Sequence, residues 1–520
     1  MLARLFALRH RPVFLLGMAA VLTVLLVQSG ELGSSDTQHR LQATHSFWTS
    51  EPAVLPGEYP EFGLIGRHGR IYGWYGMGQS LLMLPADIVG TWLEKLPLFA
   101  DYRGNDPGVR DIVVSVTTNI LVCVLAVLVC FRFLRLLDFS ARQAMAGALG
   151  LLFATTFLHY TQNMVENNFI MLLTLVGFCF QYEWLRTGRT RALLYGSLAL
   201  GANLLTRLTT ALNLAAVGVF LLLVLLMERA GWRALRARLA AYLKIAVPCY
   251  AFFFAIDRAY QYYRFGSVFN TYLSIFGEQQ KQLDPSLPAN FPWSTPWRVG
   301  LLGPLITREK SIFLFDPLIV LALLLAVLLW KRLRPEMRSW LIVTTLLVAA
   351  HIIFYARYAV WSGDFAWGDR YVSTAVELLA MMAIPLLLRH RRELRPLWWK
   401  LGVALIAVSV CFQLAALVFW YPLEIYQMNT LGPRFVIGLR FENIVAVALG
   451  KVQAWGLSNS WTWDDPWQRL RSTTPWFLPF LLGKNPDVPR WLAQGLAGVW
   501  FALLAGLLAV LAAIRRRLAK

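Results

Sequence analysis

Cysteine and charge are both scarce in this chain. Its 520 residues hold five cysteines, Cys123, Cys130, Cys179, Cys249 and Cys411. No two are spaced CxxC and all fall within apolar stretches, which excludes a disulfide framework or a thiolate metal site and predicts small buried hydrophobes. Only 15% of residues are charged and 58% are hydrophobic. Soluble domains are roughly 25% charged, so an ordinary soluble fold is excluded. No segment shows the strand alternation of a separate soluble domain. The "GMG" at Gly76–Gly78 lacks a surrounding strand–turn–helix unit and is no nucleotide fingerprint.

What the chain has instead is apolar runs of about 20 residues, enough to cross about 30 Å of hydrocarbon. They lie near 13–30, 112–131, 143–159, 168–185, 192–206, 210–227, 245–262, 317–330, 339–355, 371–388, 398–420 and 491–513. This predicts an all-α polytopic membrane protein with about 12 spans, within a range of ten to thirteen. The first run follows basic residues but has no small-x-small cleavage signature, so it reads as a retained span.

Basic residues then orient the chain. The segments "ARLFALRHR", "FRFLRLLDFSAR", "RTGRTR", "ERAGWRALRARLAAYLK", "KRLRPEMR", "RHRRELRPLWWK" and "RRRLAK" occupy every alternate loop and carry more than half of the 49 basic residues. Both termini are therefore expected in the cytoplasm. The net charge of +20 is accounted for by topology and anionic-lipid contact, with no nucleic-acid partner implied.

The predicted external side differs. A first loop of about 31–111 is far longer than a connector and includes Gly78–Leu96, an apolar stretch broken by Pro85 and two acids that reads as an interfacial helix. Further external segments are 258–316, 356–370 and 421–490, the last rich in tryptophan (Trp455, Trp461, Trp463, Trp467, Trp476) and suited to a headgroup-level belt. Residues 1–420 thus form one transmembrane unit, followed by the Trp-rich segment and by a final span with its tail, 491–520.

Polar residues concentrate in those external segments. Ser35 followed by Gln38 reads as a capping box that starts a helix at Asp36, in the first turn where the helix dipole favours a carboxylate. Asp36, His39 and Arg40 then share one face. A capped helix with merely solvated charges fits this segment equally well. Glu166 opens the fourth span. Glu377 lies inside the tenth, a depth at which an acid needs a partner, and a buried ion pair is expected. Arg67, Arg70, Arg207, Arg264, Arg308, Arg357 and Arg370 are external, where a guanidinium fork suits lipid phosphates or simple headgroup anchoring.

Six stretches, in order, resemble the polyprenyl-phosphate-sugar-dependent glycosyltransferases of the GT-C fold, broadly the protein mannosyltransferase and aminoarabinose transferase-like membrane enzymes. They are "GRIYGWYGMGQSLLMLPADIVG", "HYTQNMVENNFIMLL", "GSLALGANLLTRLTTALNL", "YYRFGSVFNTYL", "REKSIFLFDPLIVLAL" and "WSGDFAWGDRYVSTAVELLAMMAIP", spread with Asp36 over about the first 390 residues. The chain departs from the pattern at Asp36-Thr37, where many relatives have Asp-Glu. It departs again at Asp369 and Ser373 to Glu377, where they have prolines.

The resemblance implies an inverting transferase of the bacterial plasma membrane, working on the external, periplasmic side. Its donor would be a polyprenyl-phosphate sugar and its acceptor a lipid, a glycan or a protein. Asp36 would be the general base, with Glu166 assisting or orienting the acceptor. Arg207 and Arg370 would contact phosphate, followed by Arg264, with His39, Arg40 and Tyr72 as further substrate contacts. No cofactor is required. Convergence of Asp36, His39, His159 and Glu166 would admit a divalent metal, though no spaced ligand motif demands one. Two rival readings stay open. A lipid transporter or flippase predicts inverted repeats, of which the sequence shows none. A polysaccharide polymerase or ligase predicts one dominant late external loop.

Overall fold

In the computed structural model, residues 12–103, 107–364, 366–420, 423–432, 434–450, 474–485 and 488–519 are described. All twelve apolar stretches are helical. In chain order the helices are α1 (Pro12–Val27), α2 (Ser35–His45), α3 (Met77–Glu94), α4 (Val109–Leu136), α5 (Ala141–Ala154), α6 (Phe157–Gln162), α7 (Asn167–Thr187) and α8 (Thr190–Leu204). They continue with α9 (Ala211–Met227), α10 (Trp232–Phe265), α11 (Tyr272–Leu283), α12 (Trp297–Ile306), α13 (Ile312–Phe315), α14 (Leu318–Leu329) and α15 (Pro335–Tyr355). The last are α16 (Ser373–Ala380), α17 (Ala383–Arg389), α18 (Pro396–Ala416), α19 (Leu423–Leu431), α20 (Val436–Ala448), α21 (Leu478–Leu482) and α22 (Arg490–Ala519). One two-stranded hairpin pairs β1 (Leu64–Ile65) with β2 (Ile71–Tyr72).

The protein is an all-α polytopic membrane protein. Among the described residues seven helices are long and apolar enough to cross a membrane: α4, α7, α9, α10, α15, α18 and α22. The remaining predicted spans are shorter helices or broken ones. The third breaks at Thr155–Thr156 between α5 and α6, and the tenth at Met381–Met382 between α16 and α17.

Between membrane helices there is little hydrophobic driving force, so contact rests on close packing of small against large side chains. A Cβ on Gly147 would fall 2.5 Å from Leu134 and Pro385, and one on Gly177 would fall 2.5 Å from Leu200. The fully buried Trp340 packs against Phe178 and Phe133 with centroids 4.7 and 4.8 Å apart and donates its indole N–H to the Leu378 carbonyl at 3.1 Å. Cys123, Cys130 and Cys179 are buried as expected, whereas Cys249 is half-buried and Cys411 exposed on helix flanks.

The two ends of the bundle are built differently. At one end arginines neutralise the few acids of the basic loops, with Arg334 on Asp138 and Glu336, Arg132 on Glu183, Arg186 on Glu228 and Arg332 on Glu393. At the other end the long loops converge. There α3, the expected interfacial helix, packs on α2 and α4. Asp87, one of the acids that interrupts its apolar stretch, is fully buried and accepts from Arg110 Nε at 2.5 Å, Trp48 Nε1 at 2.7 Å and His45 at 3.1 Å.

One expectation is corrected. Among the described residues Glu377 has no arginine or lysine partner. Its Oε1 accepts from the Thr156 hydroxyl at 3.0 Å, and that hydroxyl also lies 3.0 Å from Asp316. The backbone break at Thr155–Thr156 supplies that hydroxyl to Glu377, while the freed Thr156 N–H donates to Asp316 at 2.7 Å. The tryptophan belt is tested only at Trp476, which is fully buried and whose backbone N–H donates to the Val418 carbonyl at 2.8 Å; Trp455, Trp461, Trp463 and Trp467 lie outside the described residues.

Candidate functional site

The loops at the convergent end enclose a cavity of about 580 Å³. Its floor is built from the start of α2. Ser34, one residue earlier than the expected cap, is the N-cap, and its Oγ accepts from the Thr37 N–H at 3.2 Å. Gly33 precedes it with φ +82, and a Cβ there would sit 2.7 Å from Asn163, so the turn admits glycine alone. Thr37 Oγ1 then donates to the Met164 carbonyl at 2.6 Å and ties α2 to the link before α7.

This places Asp36 on the cavity wall. One carboxylate oxygen accepts from Arg370 Nη1 at 2.7 Å and the other from the Tyr75 hydroxyl at 2.8 Å. Burial pushes the Asp36 carboxyl up, but Arg370, then Arg40 and the Tyr75 hydroxyl outweigh it and hold the group well below the ordinary carboxylate range. Behind the wall, buried Glu166 serves two arginines. Arg207 bonds its Oε1, and Arg40 Nη1 lies 2.7 Å from Oε2, a close charge contact off hydrogen-bond geometry. Here too burial raises the carboxyl while Arg207 and Arg40 more than compensate, leaving it below its usual value. Three guanidinium groups thus share two carboxylates, and their faces are backed by tyrosines: Arg40 lies 4.4 Å from the Tyr75 ring and Arg207 5.0 Å from that of Tyr371. Tyr371 itself stacks on Tyr355 at 4.3 Å.

Of the residues singled out from sequence, Asp36, Arg40, Arg207 and Arg370 line this cavity, with Glu166 directly behind them. Three do not. Arg264 donates to the carbonyls of Gly73 at 2.5 Å and Tyr75 at 2.9 Å, so it holds the backbone that presents Tyr75. His39 stacks on Phe62 at 4.0 Å and lies 3.3 Å from Glu58; burial lowers its pKa, and Glu58 only partly offsets this. Tyr72 packs between Tyr263 and Phe265. The four suggested metal ligands are not assembled, and among the described residues no group of three His, Cys, Asp or Glu is placed to hold a metal. Residues missed from sequence include Tyr75 and an aromatic wall of Phe62, Trp74, Phe276 and Phe291. For Trp74 and Tyr75 the available signal is the ring-dense "YGWYG" that begins at Tyr72.

Lys310 sets the loop that carries Arg370. It is buried and its ammonium donates to three carbonyls, Asp364 at 2.5 Å, Ala366 at 2.6 Å and Gly368 at 3.1 Å. Burial lowers its pKa from 10.5 to about 8 although Asp369 pulls the other way, while burial raises Asp369 to about 7 against the pull of Lys310. Between about 8 and 10.5 the unfolded chain holds the Lys310 proton more tightly, so this group makes stability rise with pH. Deprotonation nevertheless removes one of the three donors. Activity is therefore expected to fall above about pH 8 without loss of thermal stability, and Lys310→Arg should remove that alkaline limb. A limb unchanged in Lys310→Arg would assign it to another group.

The fold and site define a polytopic helical membrane protein with a polar cavity lined by three arginines and by acids, among them Asp36 paired with Arg370. No family model matches the chain, and no curated protein matches it. Among solved structures it is similar to ArnT from Cupriavidus metallidurans bound to undecaprenyl phosphate, at 14% identity over 95% of this chain and 75% of that chain, with a TM-score of 0.41. The apo state of the same protein matches at 15% identity, over 95% and 76% of the two chains, with a TM-score of 0.41.

Proposed function

We propose that this chain is an inverting glycosyltransferase that moves a sugar from a polyprenyl-phosphate donor to an acceptor hydroxyl at the external face of the membrane. The observation that carries it is the pairing of Asp36 with Arg370 on a cavity also lined by Arg40 and Arg207. Arg370, Arg207 and Arg40 put three guanidinium groups on that cavity, and a guanidinium fork suits the oxygens of a phosphodiester. The six sequence stretches supply the donor class.

The chemistry follows from those groups. The donor phosphate competes with Asp36 for Arg370 and frees the carboxylate. Asp36 takes the acceptor's proton as the acceptor oxygen bonds to the anomeric carbon from the face opposite the phosphate. The bond between that carbon and the phosphate oxygen breaks, and the electron pair leaves with polyprenyl phosphate. Its extra charge falls on the arginines, so no strong general acid is required. The aromatic wall of Trp74 and Phe276, with centroids 5.0 Å apart, offers apolar faces for the sugar ring.

The test is transfer by membranes containing the protein from labelled polyprenyl sugars. Transfer is expected from monophosphate-linked donors and not from diphosphate-linked or nucleotide-linked ones. No transfer across the panel by a protein that binds these lipids would overturn the reading in favour of a transporter. In the same assay Arg370→Lys should raise the donor KM at least about tenfold, because a point charge cannot reproduce the guanidinium fork.

A further inference from the structure

A second, smaller recess of about 40 Å³ shares Ser34, Ser35, Asp36, Asp364 and Arg370 with the main cavity but opens on other residues, among them His159, Asn163 and Ala366. Two of its lining residues carry polar atoms without a hydrogen-bond partner. Asn163 is 1% exposed and its Oδ1 lacks a hydrogen-bond partner, as does Arg370 Nε. An unsatisfied buried amide oxygen costs free energy unless a ligand or water meets it. The recess exceeds the roughly 10–15 Å³ that one water needs, yet it is far too small for a sugar ring. Arg207, Tyr272 and Tyr355 line the main cavity only. A phosphate held by Arg370 together with those residues lies on the main-cavity side and leaves Asn163 and Ala366, which line the recess only, unoccupied.

We infer that this recess is the acceptor-hydroxyl subsite, shaped for a primary hydroxyl on a slender arm, with Asn163 and Asp36 as its polar contacts. The inference rests on the glycosyltransferase reading above. It carries a further activity: water or a small primary alcohol fills the subsite when the acceptor is absent. The acceptor O–H proton passes to Asp36 and the oxygen bonds to the anomeric carbon. The carbon–oxygen bond to phosphate breaks, releasing polyprenyl phosphate together with free sugar or an alkyl glycoside. No oxidant or further reactant is needed.

The experiment uses the purified full chain in lipid nanodiscs with a labelled polyprenyl-monophosphate sugar that it binds. Products are measured in water and with equal concentrations of methanol, ethanol or 2-propanol. Methyl and ethyl glycosides of inverted configuration are expected, with the 2-propyl product lower by at least about tenfold, the scale on which a tight pocket rejects an added methyl group. Asn163→Leu should reduce alcohol transfer about tenfold and leave donor affinity, measured by equilibrium binding, within about twofold. Ala366→Val, which narrows the recess without removing a polar contact, should shift the methanol-to-ethanol ratio at least about threefold toward methanol. Bound donor with equal use of all three alcohols overturns the inference. So does bound donor with no alkyl glycoside, or an alcohol ratio that Ala366→Val leaves untouched. Failure of the wild type to bind any monophosphate donor overturns the glycosyltransferase reading itself, and binding is measured separately from transfer.

Discussion

Asp36→Asn is expected to reduce sugar transfer at least about 100-fold at matched expression, the scale of losing a general base. The isosteric amide still accepts from Tyr75 but turns an N–H toward Arg370 where the carboxylate had accepted one at 2.7 Å. Arg370 then lacks its countercharge and is free to hold phosphate. Donor KM should therefore stay the same or fall while kcat collapses. A merely structural role for Asp36 would raise KM and lower kcat together. Near-full activity in the variant would sink the assignment. The same contacts explain why Asp36 is a weak base in the free protein: Arg370 and Arg40 keep it ionised at pH values where an ordinary carboxyl would protonate. Its share of stability is present above the unfolded value of about 3.8 and is lost as pH falls through the lower folded one. Any acid limb of activity near neutrality thus belongs to a different group.

Much of this site was legible in the sequence because it rests on rules with short range. Asp36 follows a serine at a helix start, and the segregation of basic loops to one end separates the two faces. Arg207 and Arg370 were among seven external arginines, and only the resemblance set them ahead of the rest as phosphate contacts. What was not legible depends on partners far away in the chain. Arg264 looks identical to Arg370 in sequence, yet it is spent on the carbonyls of Gly73 and Tyr75, and backbone acceptors leave no mark in side-chain identity. Lys310 gave no signal for the same reason. The capping serine is Ser34 because Ser35 and Asp36 already belong to the helix, a one-residue choice that adjacent serines leave open. Tyr75 and Tyr72 lie three residues apart on one aromatic loop, and only the path fixed by Arg264 decides which of them reaches Asp36. Span lengths were blurred because Thr155–Thr156 and Met381–Met382 are as apolar or small as their neighbours while the helices break there.

Glu166 carries the largest expected effect on stability. It is 1% exposed, and Arg207 and Arg40 depend on it. Removing one partner of a buried ion pair typically costs about 3–5 kcal/mol, because a charge is left without compensation in a poor solvent for it. Glu166→Leu strands two such charges, so it should fall at the upper end of that range and lower the melting temperature of the detergent-solubilised protein. Glu166→Gln retains one acceptor and should lose less. The cause is separable from general damage by a second substitution. If the stranded charges are responsible, Arg207→Met in the Glu166→Leu background should restore part of the lost stability, although Arg207→Met alone is destabilising. If the double variant is no more stable than Glu166→Leu, the loss comes from packing at the start of α7. Donor binding resolves the remaining step. Glu166 is the counter-ion shared by Arg40 and Arg207, so its removal makes the cavity more positive by one charge. Any Glu166→Gln protein that stays folded should hold donor phosphate at least as tightly as the wild type. Its turnover should be lower, since Arg40 and Arg207 are then free to grip the polyprenyl phosphate product as well.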